Sequence, residues 1–198
     1  MPIERDDDLV EQLVRRQVLP GGTYLTFARD TVVTSDGLER GRDIVVHPGA
    51  VTIVAILADR QVLLVRQYRH PSGEVLVELP AGTLDMMGDG SVEEPLPAAQ
   101  RELFEETGYR AATWTKLCEF FTAPGFASEL MHMFLATDVT PDPSYDGPEE
   151  DERLILEKVG FDDALAKADD GTIRDAKTLL GLYLVDRLAR AGKIRELA

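Results

Sequence analysis

The sequence predicts a domain of mixed strands and helices, in the α/β or α+β class, behind a small β-rich extension. Its 198 residues suffice for one domain with a sizeable core. Several apolar segments have the periodicity of strands. One segment with helical periodicity lies between them, and two more follow them. The strand patterns cover residues 50–57, 61–68, 74–79, 113–121, 129–136 and 154–159.

The extension, residues 1–47, carries the pattern of a β-hairpin. Two β-rich stretches, residues 24–34 and 42–47, flank a Ser-Asp-Gly turn at residues 35–37. A hairpin alone is marginally stable in water. We therefore expect it to pack on the main domain, residues 48–198, or on a second subunit.

The predicted helices have recognisable ends. The first begins near Pro95 or Pro97, because proline is tolerated in a first helical turn, and Gly108 suits its C-terminal cap. Two further helical patterns, residues 162–168 and 173–191, close the chain, and the leucines of the second predict packing against the core.

Composition excludes several classes of partner. The net charge of -15 argues against nucleic acid and anionic membranes, since both require a basic patch. The acidic N-terminus does not resemble a signal peptide, and no apolar run is long enough to span a bilayer. The single cysteine, Cys118, reads as a buried strand residue, and because it cannot form an intramolecular disulfide it leaves the redox compartment open but fits the cytoplasm. These features predict a cytoplasmic protein.

Three carboxylates crowd one side of the first helix. Glu102, Glu105 and Glu106 share a face because positions three and four apart are neighbours. Like charges at these spacings destabilise a helix by roughly 0.2–0.5 kcal/mol per pair. A solvated acidic face is one interpretation. The other is a diphosphate site, because clustered carboxylates are the hard ligands that Mg²⁺ or Mn²⁺ prefers.

Around this cluster a glycine, a glutamate, an arginine–glutamate pair, a glutamate pair and a final glycine follow in order. The positions are Gly82, Glu93, Arg101, Glu102, Glu105, Glu106 and Gly108. This pattern resembles the signature of the Nudix hydrolase family. Ten residues separate the first glycine of the pattern from the first glutamate, where the family has five, and the extra residues predict a longer surface loop. The resemblance implies the Nudix fold, a mixed β-sheet sandwiched between helices.

The resemblance also implies which groups hold the metal. Glu102 and Glu106, with the backbone carbonyl of Ala81, would bind Mg²⁺, with Mn²⁺ as the alternative. Glu105 either shares the metal or lies behind it. Arg101 is expected to organise these carboxylates by pairing with Glu93 or Glu105.

Four residues are candidates for substrate binding. Arg69 matches an arginine that binds the diphosphate in related pyrophosphatases, although an ordinary surface ion pair is equally open. Glu78 is either a substrate contact or the buried partner of an arginine. Pro124, sixteen residues after Gly108, resembles the marker of the ADP-ribose pyrophosphatase branch. Glu129 is either a substrate contact or a solvated strand end.

Residues 138–152, rich in proline, glycine and aspartate, predict a long loop. Related pyrophosphatases place their general base in such a loop, which implies Glu150 as first choice and Glu152 as second. The alternative is a solubilising acidic loop.

The activity implied is Mg²⁺-dependent hydrolysis of ADP-ribose to AMP and ribose 5-phosphate, by a homodimer built with the N-terminal sheet. One alternative is a pyrophosphatase for another nucleoside diphosphate sugar, such as ADP-glucose or GDP-mannose. A non-catalytic module that senses ADP-ribose and a diphosphate isomerase are the others.

Overall fold

The computed structural model describes residues 9–21, 25–147, 153–194 and 197. These residues form two units. One contains Met1–Pro48 with Phe121–Leu130, and the other contains Gly49–Phe120 with Met131–Ala198. Within the described ranges, no helix combines the length and apolarity needed to cross a membrane.

The first unit is built on an antiparallel sheet in the order β1-β2-β3, formed by Gln12–Leu19, Thr26–Val33 and Glu39–Val46. The predicted hairpin is confirmed as β2 and β3. Strand β1 was not predicted. Strand β1 lies at the sheet edge. There Arg16 donates hydrogen bonds to the buried carboxylate of Asp30, the residue opposite Arg16 on β2. The charged and apolar residues of β1 do not alternate cleanly, which is why its period gave no strand signal.

Within the described residues, the second unit contains the other strands and all the helices. In chain order its elements are β4 (Ala50–Ala55), β5 (Gln61–Arg69), β6 (Glu74–Glu78), β7 (Ala81–Thr83), α1 (Pro95–Thr107), β8 (Tyr109–Phe121), β9 (Leu130–Pro141), β10 (Leu154–Gly160), α2 (Phe161–Asp169) and α3 (Ala176–Arg190). Strands β10, β5 and β6 form an antiparallel sheet, and the other sheet has the order β7-β4-β9-β8. Strand β4 pairs parallel with β9 and antiparallel with β7, so this sheet is mixed.

Strand β4 lies between two apolar clusters. Val54 faces the cluster that contains Leu182 of α3, whereas Ile53 faces the cluster that contains Leu103 of α1. Successive strand residues point to opposite faces, so a strand covered on both sides is apolar along most of its length. The sheet is therefore sandwiched between helices, as predicted.

Helix α1 begins and ends where the sequence predicted. Pro95 occupies its first turn, and Gly108 caps its C-terminus with a φ of 73°. The Gly108 N–H donates to the Phe104 carbonyl oxygen at 2.8 Å. A left-handed cap of this kind favours glycine. A Cβ there would also lie 2.4 Å from the Tyr145 ring, so two independent constraints require glycine at this position.

Several predicted boundaries were wrong, and strand β8 begins at Tyr109 instead of residue 113. Strand β9 continues to Pro141, through residues predicted as loop, because pairing within the sheet outweighs the low strand propensity of aspartate and proline. Helix α3 begins at Ala176 and not at Ile173. Asp175 is its N-cap and accepts a hydrogen bond from the Thr178 N–H at 3.0 Å.

Candidate active site

The carboxylate cluster lies on α1, and two of its members are on the buried side of that helix. Glu102 and Glu106 are 6% and 4% exposed, whereas Glu105 is partly exposed. Glu102 and Glu106 are one turn apart and thus on one stripe of the helix, beside the buried apolar residue Leu103. Buried carboxylates require cations or hydrogen-bond donors, so the neighbours of this stripe decide what the site can do.

The guanidinium of Arg101 contacts several carboxylates at once. Its Nη1 donates to Glu102 at 2.7 Å and to Glu105 at 2.9 Å, and its Nη2 donates to Glu93 at 2.8 Å. Arg101 was predicted to pair with Glu93 or Glu105, and it contacts both. The hydrogen bond to Glu93 and the charge of Glu102 raise the pKa of Arg101, and the same bond lowers the pKa of Glu93. One positive charge among three carboxylates leaves the cluster negative.

The backbone of Ala81 and Gly82 lies against these carboxylates. The Ala81 N–H donates to Oε2 of Glu106 at 3.0 Å. A Cβ on Gly82 would lie 1.9 Å from Cδ of Glu102. The missing side chain of Gly82 therefore leaves the space that the Glu102 carboxylate fills.

The chemistry of this donor set fits a hard divalent cation, because Mg²⁺ and Mn²⁺ prefer carboxylate and carbonyl oxygens. Among the described residues, no three acidic, histidine or cysteine side chains converge on one point. Arg101 holds Glu102 and Glu105, and the Ala81 N–H holds Glu106. The net negative charge and the cradle at Gly82 are the features that suit the cation.

Arg69, at the end of β5, forms a two-point ion pair with Glu78, at the end of β6. Its Nε donates to Oε1 at 2.8 Å and its Nη2 donates to Oε2 at 2.9 Å. Glu78 is 1% exposed, so of its two predicted roles the structure has the buried partner of an arginine. In the described part of the chain Nη1 of Arg69 makes no hydrogen bond, and the Arg69 side chain is 41% exposed. Arg69 thus keeps donors for an anion.

The pKa of Glu78 is lowered from 4.5 to about 2. Burial alone would raise it, but hydrogen bonds from Arg69 and Lys177 and their positive charges outweigh burial. The hydrogen bonds to Glu78 raise the pKa of Arg69, and the charges of Glu78, Glu106 and Asp175 raise it further against the effect of burial.

The contact between Lys177 and Glu78 was missed by sequence reasoning. Lys177, in the first turn of α3, lies within hydrogen-bond distance of Glu78 and is 3.0 Å from Asp175. The sequence places Lys177 only within the helical pattern predicted for residues 173–191. Its partner is 99 residues away in the chain, and no local spacing reports such a contact.

Two other predicted site residues, Pro124 and Glu129, belong to the first unit. Pro124 lies in a turn in which the Phe126 N–H donates to the Ala123 carbonyl oxygen at 3.0 Å. Glu129 accepts a hydrogen bond from the Thr122 hydroxyl and is 3.4 Å from His47. Glu150 and Glu152 lie outside the described residues.

The described start of the predicted base loop is attached to the end of α1. The Tyr145 hydroxyl donates to the Glu105 carbonyl oxygen at 3.0 Å, and the Tyr145 ring packs edge-on against Phe104. The Asp142 N–H donates to the Gly108 carbonyl oxygen at 2.8 Å. Sequence reasoning did not single out Tyr145, which attaches residues 142–145 to the end of α1.

Replacing Gly82 with alanine is expected to displace the Glu102 carboxylate. The clash is steric, because the Gly82 backbone is not in the left-handed region. A displacement near 1 Å in an active site costs on the order of 100-fold in rate. We therefore expect kcat/KM for hydrolysis of the predicted diphosphate substrate to fall by about that factor. Gly88→Ala is the control, since a Cβ there meets nothing within 4 Å. Equal kcat/KM for the two variants would contradict the proposed geometry.

The fold, together with the carboxylate cluster on α1, is the basis for assigning this chain to a protein family. The model of the NUDIX domain matches residues 46–180, which include Arg69, Ala81 and all of α1. The chain therefore belongs to the Nudix family, and it is a Nudix hydrolase.

Three relatives show the range of activities among similar proteins. An ADP-ribose pyrophosphatase from Bacillus subtilis is 36% identical over 170 residues, which cover 86% of this chain and 89% of the relative. The methanol dehydrogenase activator of Bacillus methanolicus is 34% identical over 172 residues, covering 87% of this chain and 90% of the relative. A GDP-mannose pyrophosphatase from Cronobacter sakazakii is 36% identical over 140 residues, covering 67% and 70%.

A solved structure described as an ADP compounds hydrolase has the same fold. Its TM-score is 0.76 at 24% identity, and the match covers 93% of this chain and 97% of that chain. The predicted α+β architecture of the Nudix type is confirmed.

Proposed function

We propose that this enzyme hydrolyses the diphosphate bond of ADP-ribose and releases AMP and ribose 5-phosphate. The observation that carries the proposal is the pair of buried carboxylates, Glu102 and Glu106, against the backbone of Ala81 and Gly82. The likeness to an ADP-ribose pyrophosphatase over most of both chains supports the choice of substrate.

Glu102 and Glu106, with the backbone of Ala81 and with Glu105 sharing or supporting them, would hold Mg²⁺, with Mn²⁺ as the alternative. When bound, the cation neutralises charge on the phosphoryl oxygens and lowers the pKa of a water molecule. Arg101 keeps Glu102 and Glu105 in place between substrate turnovers, because its Nη1 bonds both carboxylates.

Arg69 would bind the diphosphate. Arginine suits this role because its planar donors match phosphate oxygens, and Nη1 and the exposed part of the side chain are available for it. Glu78 is retained as the residue that orients Arg69. Pro124 and Glu129 remain candidates for the contact with the ribose or base.

Glu150 is proposed as the general base, with Glu152 as the second choice. A positioned base contributes on the order of 10²- to 10⁴-fold to the rate. We expect Glu150→Gln to lower kcat by such a factor while the thermal unfolding temperature is unchanged. Glu149→Gln is the control from the same acidic run. A normal kcat in Glu150→Gln with a large loss in Glu152→Gln would assign the general base to Glu152. A normal kcat in both variants would show that the general base does not lie in this loop.

A panel of substrates tests the function. Purified protein, with Mg²⁺ or with a chelator, is incubated with ADP-ribose, ADP-glucose and GDP-mannose, and released AMP or GMP is measured. We expect AMP from ADP-ribose at the highest kcat/KM, and only with the metal. Preference for GDP-mannose would favour the activity named for the Cronobacter sakazakii relative. Binding of ADP-ribose without any nucleotide release would show a sensing module instead.

We also propose a homodimer formed through the N-terminal extension, residues 1–47. Leu13, Val14 and Val18 of the edge strand β1 are each more than half exposed, and such apolar edges are sites of association. Sedimentation velocity should give twice the chain mass, and Val18→Glu should lower the measured mass.

The half-buried thiol of Cys118 fits the cytoplasm, which we propose as the compartment.

A further inference from the structure

The first turn of α3 contacts two different parts of the candidate active site. Asp175 caps this turn, and its Oδ2 accepts from the Thr178 N–H at 3.0 Å and from the Thr178 hydroxyl at 2.6 Å. Thr178 is fully buried. The turn is therefore rigid at the point from which two neighbouring side chains, Lys177 and Thr178, extend in different directions.

Thr178 holds the backbone that leads to the proposed metal ligands. Its Oγ1 accepts from the Leu79 N–H at 2.8 Å. Two residues on, the Ala81 N–H donates to Glu106, and between them the Pro80 carbonyl oxygen accepts from the β4 backbone. The segment from Leu79 to Gly82 is thus fixed at its start by Thr178 and at its end by α1.

Lys177 holds the other side of the site. Its Nζ lies between Oε2 of Glu78 and Oδ1 of Asp175, and its side chain is 12% exposed. Oε2 of Glu78 also accepts from Nη2 of Arg69. Lys177 therefore holds the Glu78 carboxylate that orients Arg69. Its positive charge also compensates the negative charge of Asp175.

We propose that Lys177 and Thr178 are positioning residues with separate tasks: Thr178 sets the metal-binding backbone, and Lys177 sets the substrate-binding arginine. This inference rests on the proposed function. A purely structural role predicts something else, namely that both residues only stabilise α3. In that case their loss would affect metal and substrate binding together.

Two binding measurements that do not require turnover separate these possibilities. Mn²⁺ binding is titrated by electron paramagnetic resonance, and ADP-ribose binding is titrated by calorimetry in a chelating buffer. Loss of a group that supports a metal ligand typically costs 10- to 100-fold in metal affinity. Thr178→Val, which keeps the shape but loses the hydroxyl, should weaken Mn²⁺ binding by about tenfold or more and leave ADP-ribose binding near that of the wild type.

Lys177→Met should give the opposite pattern, with ADP-ribose binding weakened about tenfold by analogy with other supporting groups and Mn²⁺ binding retained. Thr178→Ser keeps the hydroxyl and should rescue Mn²⁺ binding. Lys116→Met removes an exposed lysine that pairs with Glu119 and serves as the charge control. If Thr178→Val does not fold by circular dichroism, Thr178→Ala takes its place, and the Lys177 arm is decided independently.

Normal Mn²⁺ affinity in the Thr178 variant, normal ADP-ribose affinity in Lys177→Met, or joint loss of both affinities in either variant would overturn the inference. Failure of the proposed function has a different appearance: the wild type would neither bind nor hydrolyse ADP-ribose. Mn²⁺ titration of Thr178→Val against Thr178→Ser would still decide the metal half in that case.

Discussion

Glu106→Gln is expected to lower kcat by about 100- to 1,000-fold, because a metal clamp contributes several kcal/mol to the stabilisation of a phosphoryl transition state. Glutamine keeps the size of Glu106, and its amide oxygen still accepts from the Ala81 N–H that now donates to the carboxylate at 3.0 Å. The fold should therefore be retained while one negative charge is lost from the cluster.

The control is Glu157→Gln, which removes a carboxylate that pairs with Arg66 in the same unit. Its kcat should equal that of the wild type. The two variants are compared at increasing Mg²⁺, because a lost ligand raises the metal concentration needed for half-maximal activity. Near-normal turnover of Glu106→Gln at low Mg²⁺ would end the assignment of this residue as a metal ligand.

The sequence predicted the parts of the site that depend on local spacing. The helical period placed Glu102 and Glu106 on one stripe. Arg101 was expected to pair with Glu93 or Glu105, and its guanidinium donates to Glu93 at 2.8 Å and to Glu105 at 2.9 Å. The glycine cap at Gly108 follows from its conformational freedom. Each of these features is determined within one or two turns of the same helix.

The sequence did not predict the contacts that join distant segments. Lys177 meets Glu78, and Thr178 meets the Leu79 N–H, each across 99 residues. These contacts depend on how α3 packs over β4, and one sequence without related sequences carries no signal for such pairings. Strand β1 was missed for a related reason: its neighbours on the sheet, and not its own periodicity, determine its conformation.

Glu78→Gln is expected to cause the largest loss of stability. Removing one partner from a buried ion pair leaves the other charges without compensation, at a cost of about 3–5 kcal/mol. Here Lys177 is largely buried and Arg69 is partly exposed, so water screens part of the effect and we expect about 3 kcal/mol in the free energy of unfolding. Glu74→Gln, on the same strand, removes an exposed partner of Arg174 and should cost less than about 1 kcal/mol.

The same residue predicts a pH dependence. The pKa of Glu78 is about 2 in the folded chain, below its ordinary value of 4.5. A lowered pKa means that its stabilisation is complete above the unfolded value and is lost as pH falls from about 5 towards 2, and it amounts to about 3 kcal/mol. Urea unfolding should therefore show that the difference between wild type and Glu78→Gln shrinks across this window.

Other carboxylates titrate in the same range, but they do not obscure the comparison. The pKa of Asp142 is also about 2, because it accepts hydrogen bonds from the Ser144 backbone and hydroxyl and from Arg110. Asp142 is present in both proteins, so its contribution cancels in the difference. A difference in unfolding free energy that stays constant from neutral pH down to pH 3 would mean that Glu78 is not the ionised centre of the group formed by Arg69, Lys177 and Asp175.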